Sequence, residues 1–159
     1  MQTNHDSLIG KTLRGKYQVI SKLAQGGQGN IYDAKDITSS IDKRYIVKQF
    51  APTYESGSQL QKAQELFNQE AIILQKLGSH TQIPQIFDYF TENSQFFLVQ
   101  EFIDGQNLQQ ELDQKKYLTE SATIEILQDI LRVLQFVHQN NYIHRDLKPS
   151  NLIRNQCDR

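Results

Sequence analysis

The sequence predicts an α+β fold, with strands and one helix in the first part of the chain and helices in the remainder. Short segments rich in β-branched and aromatic residues dominate up to about residue 102. Beyond about residue 108, apolar residues recur at helical spacing instead. A length of 159 residues with 38% hydrophobic and 22% charged residues suits one soluble globular domain.

Three strands are predicted around a glycine cluster near the start of the chain. Residues 17–23 alternate in side-chain character and lead into the cluster, and residues 30–35 can return antiparallel to them. Residues 45–50 form the third strand, which Pro52 closes.

A helix and two further strands follow. Residues 60–77 carry apolar side chains at helical spacing, and Gly78 occupies the position of a C-terminal cap. The predicted apolar positions are Leu60, Ala63, Leu66, Phe67, Ala71, Ile73, Leu74 and Leu77. Residues 86–90 and 96–102 are predicted as strands around a polar turn at residues 92–94.

The second half of the chain is predicted to be helical. A short helix is expected over residues 108–115, and a longer one over residues 120–139 with Thr119 as its N-cap. The longer helix is predicted to turn one apolar face inward, formed by Ile124, Leu127, Ile130, Leu131, Leu134 and Val137.

Composition excludes several functional classes. The net charge is −1, with 17 basic and 18 acidic residues well mixed, so no concentrated basic face for nucleic acid or a membrane surface is expected. The sequence shows no signal-peptide pattern and no apolar run of the ~20 residues that a membrane span needs. Its single cysteine, Cys157, cannot form an internal disulfide. We therefore expect a cytoplasmic chain without a membrane segment or a nucleic-acid partner.

Two features of the first half suggest an anion site. The glycine-rich turn over residues 24–31 would let backbone amides approach a polyphosphate, although the pattern also suits a purely structural turn. Lys48 lies within an otherwise apolar strand, where a buried lysine is costly unless an anion meets it. The alternative is an exposed position on an edge strand. Glu70, on the apolar-periodic helix, is its natural charge partner.

The segment of residues 144–151 carries the strongest chemical signal. Asp146 can accept the proton of a hydroxyl, and Lys148 can stabilise charge on a transferring phosphoryl group. Asn151 can supply an oxygen to Mg²⁺, which prefers hard oxygen ligands. A helix-to-loop connection capped by Asp and Asn is the structural alternative.

The order of these motifs resembles that of the eukaryotic-like bacterial serine/threonine protein kinases, over residues 10–157. The resemblance covers the N-terminal half of the catalytic domain and ends before the Asp-Phe-Gly motif. It implies a protein-kinase-like fold with an antiparallel β N-lobe that carries one helix, followed by the first helices of an incomplete helical C-lobe. The implied bounds are residues 10–102 for the N-lobe, 103–106 for the hinge and 107–159 for the truncated C-lobe.

The same resemblance implies ATP and Mg²⁺ as cofactors and assigns residues to them. Ala24 departs from the usual first glycine of the loop, and Ile46 replaces the common alanine over adenine. Asp146, Lys148 and Asn151 are the implied catalytic residues, and Asn151 is also the implied metal ligand. The implied nucleotide-binding residues are Ala24, Gly26, Gly27, Gly29, Ile31, Ile46, Lys48, Glu70, Gln100, Glu101 and Ile103.

The implied function is ATP-dependent phosphorylation of serine and threonine hydroxyls in protein substrates, since Lys148 stands two residues after Asp146. One alternative is a small-molecule phosphotransferase of the same fold. Another is a nucleotide-binding or scaffolding remnant without phosphotransfer activity. Because the chain stops before Asp-Phe-Gly, we expect the 159 residues alone to be weakly active at best. We also expect a protein partner to cover the helix face near Leu127, Leu131 and Leu134.

Overall fold

The structure, a computed structural model, describes residues 8–26, 29–50 and 57–155. The chain separates into two compact units. The first comprises residues up to Ser79 together with Pro84–Phe102, and the second comprises His80–Ile83 together with the residues from Ile103 onward. The predicted bounds of the N-lobe, hinge and C-lobe describe functional parts of a complete domain. These bounds stay a prediction.

A six-stranded antiparallel sheet forms most of the first unit. Its strands are β1 (Thr12–Leu13), β2 (Tyr17–Gly26), β3 (Gly29–Asp36), β4 (Arg44–Phe50), β5 (Ile86–Glu92) and β6 (Gln95–Glu101). Their spatial order is β1-β2-β3-β4-β6-β5, so β4 and β6 are neighbours. All five predicted strands are confirmed, and the two-residue β1 was not predicted. Pro52, which was expected to close β4, lies outside the described residues.

The two faces of this sheet are covered differently. One face holds an apolar cluster in which Tyr17, Tyr32 and Phe97 are almost fully buried. The opposite face carries helix α1 (Gly57–Leu77), whose Ala71 packs with Ile86 and Leu98 of the sheet. Strand residues alternate between faces, so neighbours in sequence belong to different clusters.

Helix α1 confirms the prediction, but one of its apolar positions is accessible. Leu66 is 57% exposed, because its neighbour Phe67 takes the position facing the sheet and stacks on Phe96 with ring centroids 5.0 Å apart. Gly78 ends the helix as predicted, and its N–H donates to the Leu74 carbonyl at 2.9 Å.

The second unit contains helices α2 (Leu108–Lys115) and α3 (Glu120–Gln139), with the bounds that the sequence predicted. The predicted N-cap is confirmed, because the Thr119 hydroxyl accepts a hydrogen bond from the Ala122 N–H at 3.2 Å. Two unpredicted three-residue strands, β7 (Gly105–Asn107) and β8 (Ile153–Asn155), pair antiparallel in a separate sheet.

The predicted inner face of α3 is only partly correct. Val137 is buried, whereas Ile124, Leu127 and Leu131 are 47%, 51% and 63% exposed. Within the described part of the chain, these three side chains are left accessible along one side of the helix. None of the described helices combines the length and the apolar character that a bilayer crossing requires.

Candidate functional site

The glycine-rich turn is the tip of the β2–β3 hairpin. Ala24 pairs with Ile31, and Gly26 pairs with Gly29. Gly27 lies outside the described residues. Gly29 has φ +129°, and a Cβ at this position would overlap the backbone carbonyl of Gln49 on β4. The arm that returns from the turn can therefore lie directly against β4 only because residue 29 has no side chain.

Lys48 lies in the middle of the sheet, on the face that carries α1. It pairs with Ile31 on one side and with Leu98 on the other, so apolar neighbours flank it in both directions. Burial lowers the pKa of the half-buried Lys48 ammonium below its usual 10.5, and the charge of Glu70 opposes this shift. The edge-strand alternative is wrong, since β4 has a neighbour on each side.

Glu70 is on α1, as predicted, but it does not form a close ion pair with Lys48. Its side chain is exposed, and no ion pair within 4.0 Å joins these two described residues. The carboxylate therefore acts on Lys48 by longer-range attraction. No carboxylate of the described residues thus pairs with this half-buried ammonium, and a bound anion could supply the missing interaction.

The predicted purine-side residues divide between the two units. Ile46 and Gln100 pair directly across β4 and β6, and both are half-buried. Glu101 ends β6, where its N–H donates to the Gln85 carbonyl at 2.8 Å and its carboxylate accepts from the Gln85 N–H at 3.2 Å. Ile103 belongs to the second unit. The structure thus places Ile46 and Gln100 together on one sheet face and fixes Glu101 beside them.

The predicted catalytic residues form a connected group in the second unit. The Lys148 ammonium lies 3.0 Å from one carboxylate oxygen of Asp146. The Asn151 side-chain amide donates to the other carboxylate oxygen at 2.9 Å and to the Asp146 backbone carbonyl at 2.8 Å. Three residues that are separate in the sequence therefore meet around one carboxylate.

Local backbone geometry creates this group. Arg145 has φ +62°, a left-handed conformation that non-glycine residues seldom adopt, and the Asp146 N–H donates to the His144 carbonyl at 2.9 Å across it. Pro149 then starts a single 3₁₀ turn, Pro149–Asn151, which brings Asn151 back toward Asp146. Strain at one residue is thus balanced by the hydrogen bonds that the turn supplies.

The electrostatics of the group keep the Asp146 carboxylate ionised. The hydrogen bonds from Lys148 and Asn151 hold the pKa of the Asp146 carboxyl below its usual value of 3.8. The carboxylate is therefore ionised at any physiological pH. A side chain that is ionised, partly accessible and held by two donors can orient a hydroxyl and accept its proton.

Gln49 was not predicted as a contributor to the site region. This residue follows Lys48 and is 5% exposed. The available signal was its position in the β4 alternation, where it shares the core face with Tyr45 and Val47. A glutamine at such a position must find buried hydrogen-bond partners.

Comparison with known proteins identifies the family of the chain. The chain matches the protein kinase domain family over residues 17–158. It is 40% identical over 146 residues to serine/threonine-protein kinase B of a Synechocystis strain, covering 92% of this chain and 25% of that protein. It is 42% identical over 147 residues to serine/threonine-protein kinase PknA of a Nostoc strain, covering 92% of this chain and 26% of that protein.

The fold has solved counterparts. The crystal structure of the PknI kinase domain of Mycobacterium tuberculosis matches with a TM-score of 0.74 at 19% sequence identity, covering 92% of this chain and 57% of that one. The present chain spans about a quarter of the length of the two relatives named above. Since the family match extends over nearly the whole sequence, the chain belongs to the protein kinase family.

Proposed function

We propose that this chain is the nucleotide-binding and catalytic-loop part of an enzyme that transfers the γ-phosphoryl group of ATP to serine or threonine hydroxyls of proteins. The observation that carries the proposal is the group formed by Asp146, Lys148 and Asn151. Its support includes the relatives named above, which are serine/threonine-protein kinases. Protein kinases as a family use ATP and Mg²⁺.

The residues of the first unit fit a nucleotide polyphosphate. Lys48 is a half-buried cation with no carboxylate within 4.0 Å among the described residues, and Ile31 lies opposite it on the hairpin arm. We assign Lys48, assisted by Glu70, to the phosphates, together with the backbone of Ala24, Gly26 and Gly29 and of the undescribed Gly27.

The purine base is assigned to the apolar positions of the same unit. Ile31 and Ile46 supply side-chain contacts, and Gln100 lies beside Ile46 across the β4–β6 pair. The hydrogen bonds to the purine edge are assigned to the backbone of Glu101 and of Ile103 from the order of the family's motifs alone. Each of these assignments is a proposal that follows the order of the family's motifs.

The residues of the second unit carry the proposed chemistry. Bound ATP supplies the phosphoryl group, and Mg²⁺ supplies charge neutralisation. Asp146 orients the substrate hydroxyl and accepts its proton, and Lys148 stabilises the negative charge that develops nearby. Asn151 fixes the Asp146 carboxylate through its amide N–H, and we assign its amide oxygen to the metal.

A transfer assay on the full-length protein tests the proposal. Asp146→Asn should lower phosphate transfer from ATP to a protein substrate by about 10²-fold or more, because it removes the proton acceptor. ATP binding should stay nearly unchanged. Asp129→Asn is the matched control, since this exposed aspartate on α3 pairs only with Arg132 among the described contacts.

The outcomes separate the alternatives. Transfer that is insensitive to Asp146→Asn contradicts the proposed catalytic role. ATP binding without any transfer in the full-length protein favours a nucleotide-binding remnant. Transfer to small hydroxyl compounds but not to protein favours a small-molecule phosphotransferase.

A further inference from the structure

A buried network of side-chain amides lies on the face of β4 opposite to Lys48, which is part of the proposed phosphate site. Gln49 lies on the core face of β4, where burial of an unpaired amide would be costly. Its side-chain oxygen accepts hydrogen bonds from the Asn30 amide and from the Tyr32 hydroxyl, each at 3.0 Å. Its side-chain nitrogen donates to the Gln95 side-chain oxygen at 2.8 Å. One glutamine thus connects β3, β4 and β6.

The same residue also contacts the hairpin through its backbone. Its carbonyl oxygen occupies the space that a Cβ on Gly29 would need. Backbone packing against Gly29 and side-chain hydrogen bonds to Asn30 and Tyr32 therefore act on three of the first four residues of the returning hairpin arm. Ile31, which lies within this stretch, pairs with Lys48.

The Asn30 side chain depends on this network. Its amide oxygen is buried and has no hydrogen-bond partner in the part of the chain that the structure describes. Its amide nitrogen bonds to Gln49. The hydrogen bond to Gln49 therefore holds the Asn30 side chain in place, and removal of Gln49 would release the Asn30 side chain.

We propose that Gln49 is a positioning residue for nucleotide phosphates: it holds the returning arm of the glycine hairpin against β4, in register with Lys48, without touching the nucleotide. This inference rests on the proposed function of the first unit. It predicts a specific deficit, since loss of Gln49 should weaken the binding of ligands with phosphates and spare the binding of the nucleoside alone.

The test compares ATP with Mg²⁺ and adenosine as ligands for the full-length protein, by calorimetry. Gln49→Met keeps the volume of the side chain and removes its three hydrogen bonds. It should weaken ATP binding by about fivefold or more, the factor that one lost buried hydrogen bond represents, and change adenosine binding by less than about twofold. Asn30→Ala should give the same pattern, and it provides a second test if Gln49→Met does not fold.

Gln95→Met is the matched control, because it removes a hydrogen bond of Gln49 but leaves those to Asn30 and Tyr32 intact. It should lower the melting temperature. Its ATP affinity should stay within about twofold of that of the unsubstituted protein, because no contact to the hairpin is lost. Hydrogen exchange at the amides of residues 29–31 should accelerate in Gln49→Met and not in Gln95→Met.

Two results would overturn the inference. Equal losses of ATP and adenosine affinity would show that Gln49 merely stabilises the unit. Unchanged ATP affinity in both Gln49→Met and Asn30→Ala would show that the hairpin needs no such support. Failure of the proposed function looks different: the unsubstituted protein would not bind ATP, or Lys48→Met would bind it as well as the unsubstituted protein does.

Discussion

Lys48 shows how one side chain can be unfavourable for stability and useful for binding. Its apolar neighbours Ile31 and Leu98 remove water from the ammonium, and Glu70 is too distant for an ion pair within 4.0 Å. The charged form is therefore destabilised in the folded chain. An anionic ligand that restores the missing interaction gains from this arrangement, because the desolvation has already taken place in the free protein.

Lys48→Met should accordingly raise the melting temperature of the unliganded protein and weaken its binding of ATP. The folded-state pKa of Lys48 is lower than 10.5, so between the two values the unfolded chain holds more protons than the folded one. Stability of the unsubstituted protein should therefore rise with pH through that window, relative to Lys48→Met. Denaturant unfolding at a series of pH values measures this difference. Parallel pH profiles of the two proteins would contradict the assigned cause.

The carboxyl of Asp146 provides a second test at the residue scale. Its pKa is lowered first by the hydrogen bond from Lys148 and next by that from Asn151. Lys148→Met should raise this pKa toward 3.8, and Asn151→Ala should raise it less. Carbon NMR titration of labelled aspartate side chains measures both values. An Asp146 pKa that stays unchanged in Lys148→Met would show that the 3.0 Å contact does not persist in solution.

Sequence patterns indicated these residues as candidates but did not indicate their geometry. Lys48 was identified because a lysine interrupts an apolar strand, and Asp146 because of its spacing to Lys148 and Asn151. The distance between Lys48 and Glu70 depends on the packing of α1, which no local pattern encodes. Gln49 was missed because its partners come from strands that are distant in the sequence.

At the scale of elements, long periodic segments were predicted well and short ones were not. The helices at residues 108–115 and 120–139 were found with their observed bounds; the apolar spacing extends over several turns in the 20-residue α3 and over about two turns in the 8-residue α2. Strands β1, β7 and β8 have two or three residues each, which is too few to show a period. Their existence depends on pairing with partners elsewhere in the chain.

The hairpin arm yields a prediction that separates backbone strain from steric overlap. Gly29→Ala should destabilise the protein by about 2 kcal/mol or more, because the new Cβ meets the Gln49 backbone and φ is positive. Gly15→Ala is the control: its φ is +64°, but nothing lies within 4 Å of the added Cβ. It should cost only about 1 kcal/mol, the strain term alone. Chemical denaturation compares the two, and equal losses would contradict the overlap.

Helix α3 yields a prediction about its first turn. Thr119→Ala removes the hydroxyl that caps the Ala122 N–H and should destabilise the second unit by about 1 kcal/mol. Thr123→Ala is the matched control, since the Thr123 hydroxyl only bonds back to the Thr119 carbonyl within the helix. Its replacement should be neutral or slightly stabilising. Thermal unfolding followed by circular dichroism compares the two variants. Equal melting temperatures would contradict the cap assignment.

At the scale of the whole molecule, the accessible apolar side of α3 should govern self-association. Ile124, Leu127 and Leu131 are about half exposed or more, and contiguous apolar surface promotes association. The double substitution Leu127→Gln/Leu131→Gln should reduce concentration-dependent association of the 159-residue chain and leave its melting temperature nearly unchanged. Sedimentation velocity measures the association. Val137→Ala is the contrasting variant, since Val137 is buried and its truncation should lower stability instead.

The small β7–β8 sheet has a consequence for the order in which the chain folds. It joins Gly105 to Asn155 and Asn107 to Ile153, so it closes a loop that contains both helices and the catalytic group. Such a closure loses chain entropy before its few hydrogen bonds are gained, and contacts of long sequence separation form slowly. The helices should therefore form first and this ladder late. The turn that assembles Asp146 and Asn151 lies directly before β8, so the catalytic geometry should form together with this ladder and after helices α2 and α3.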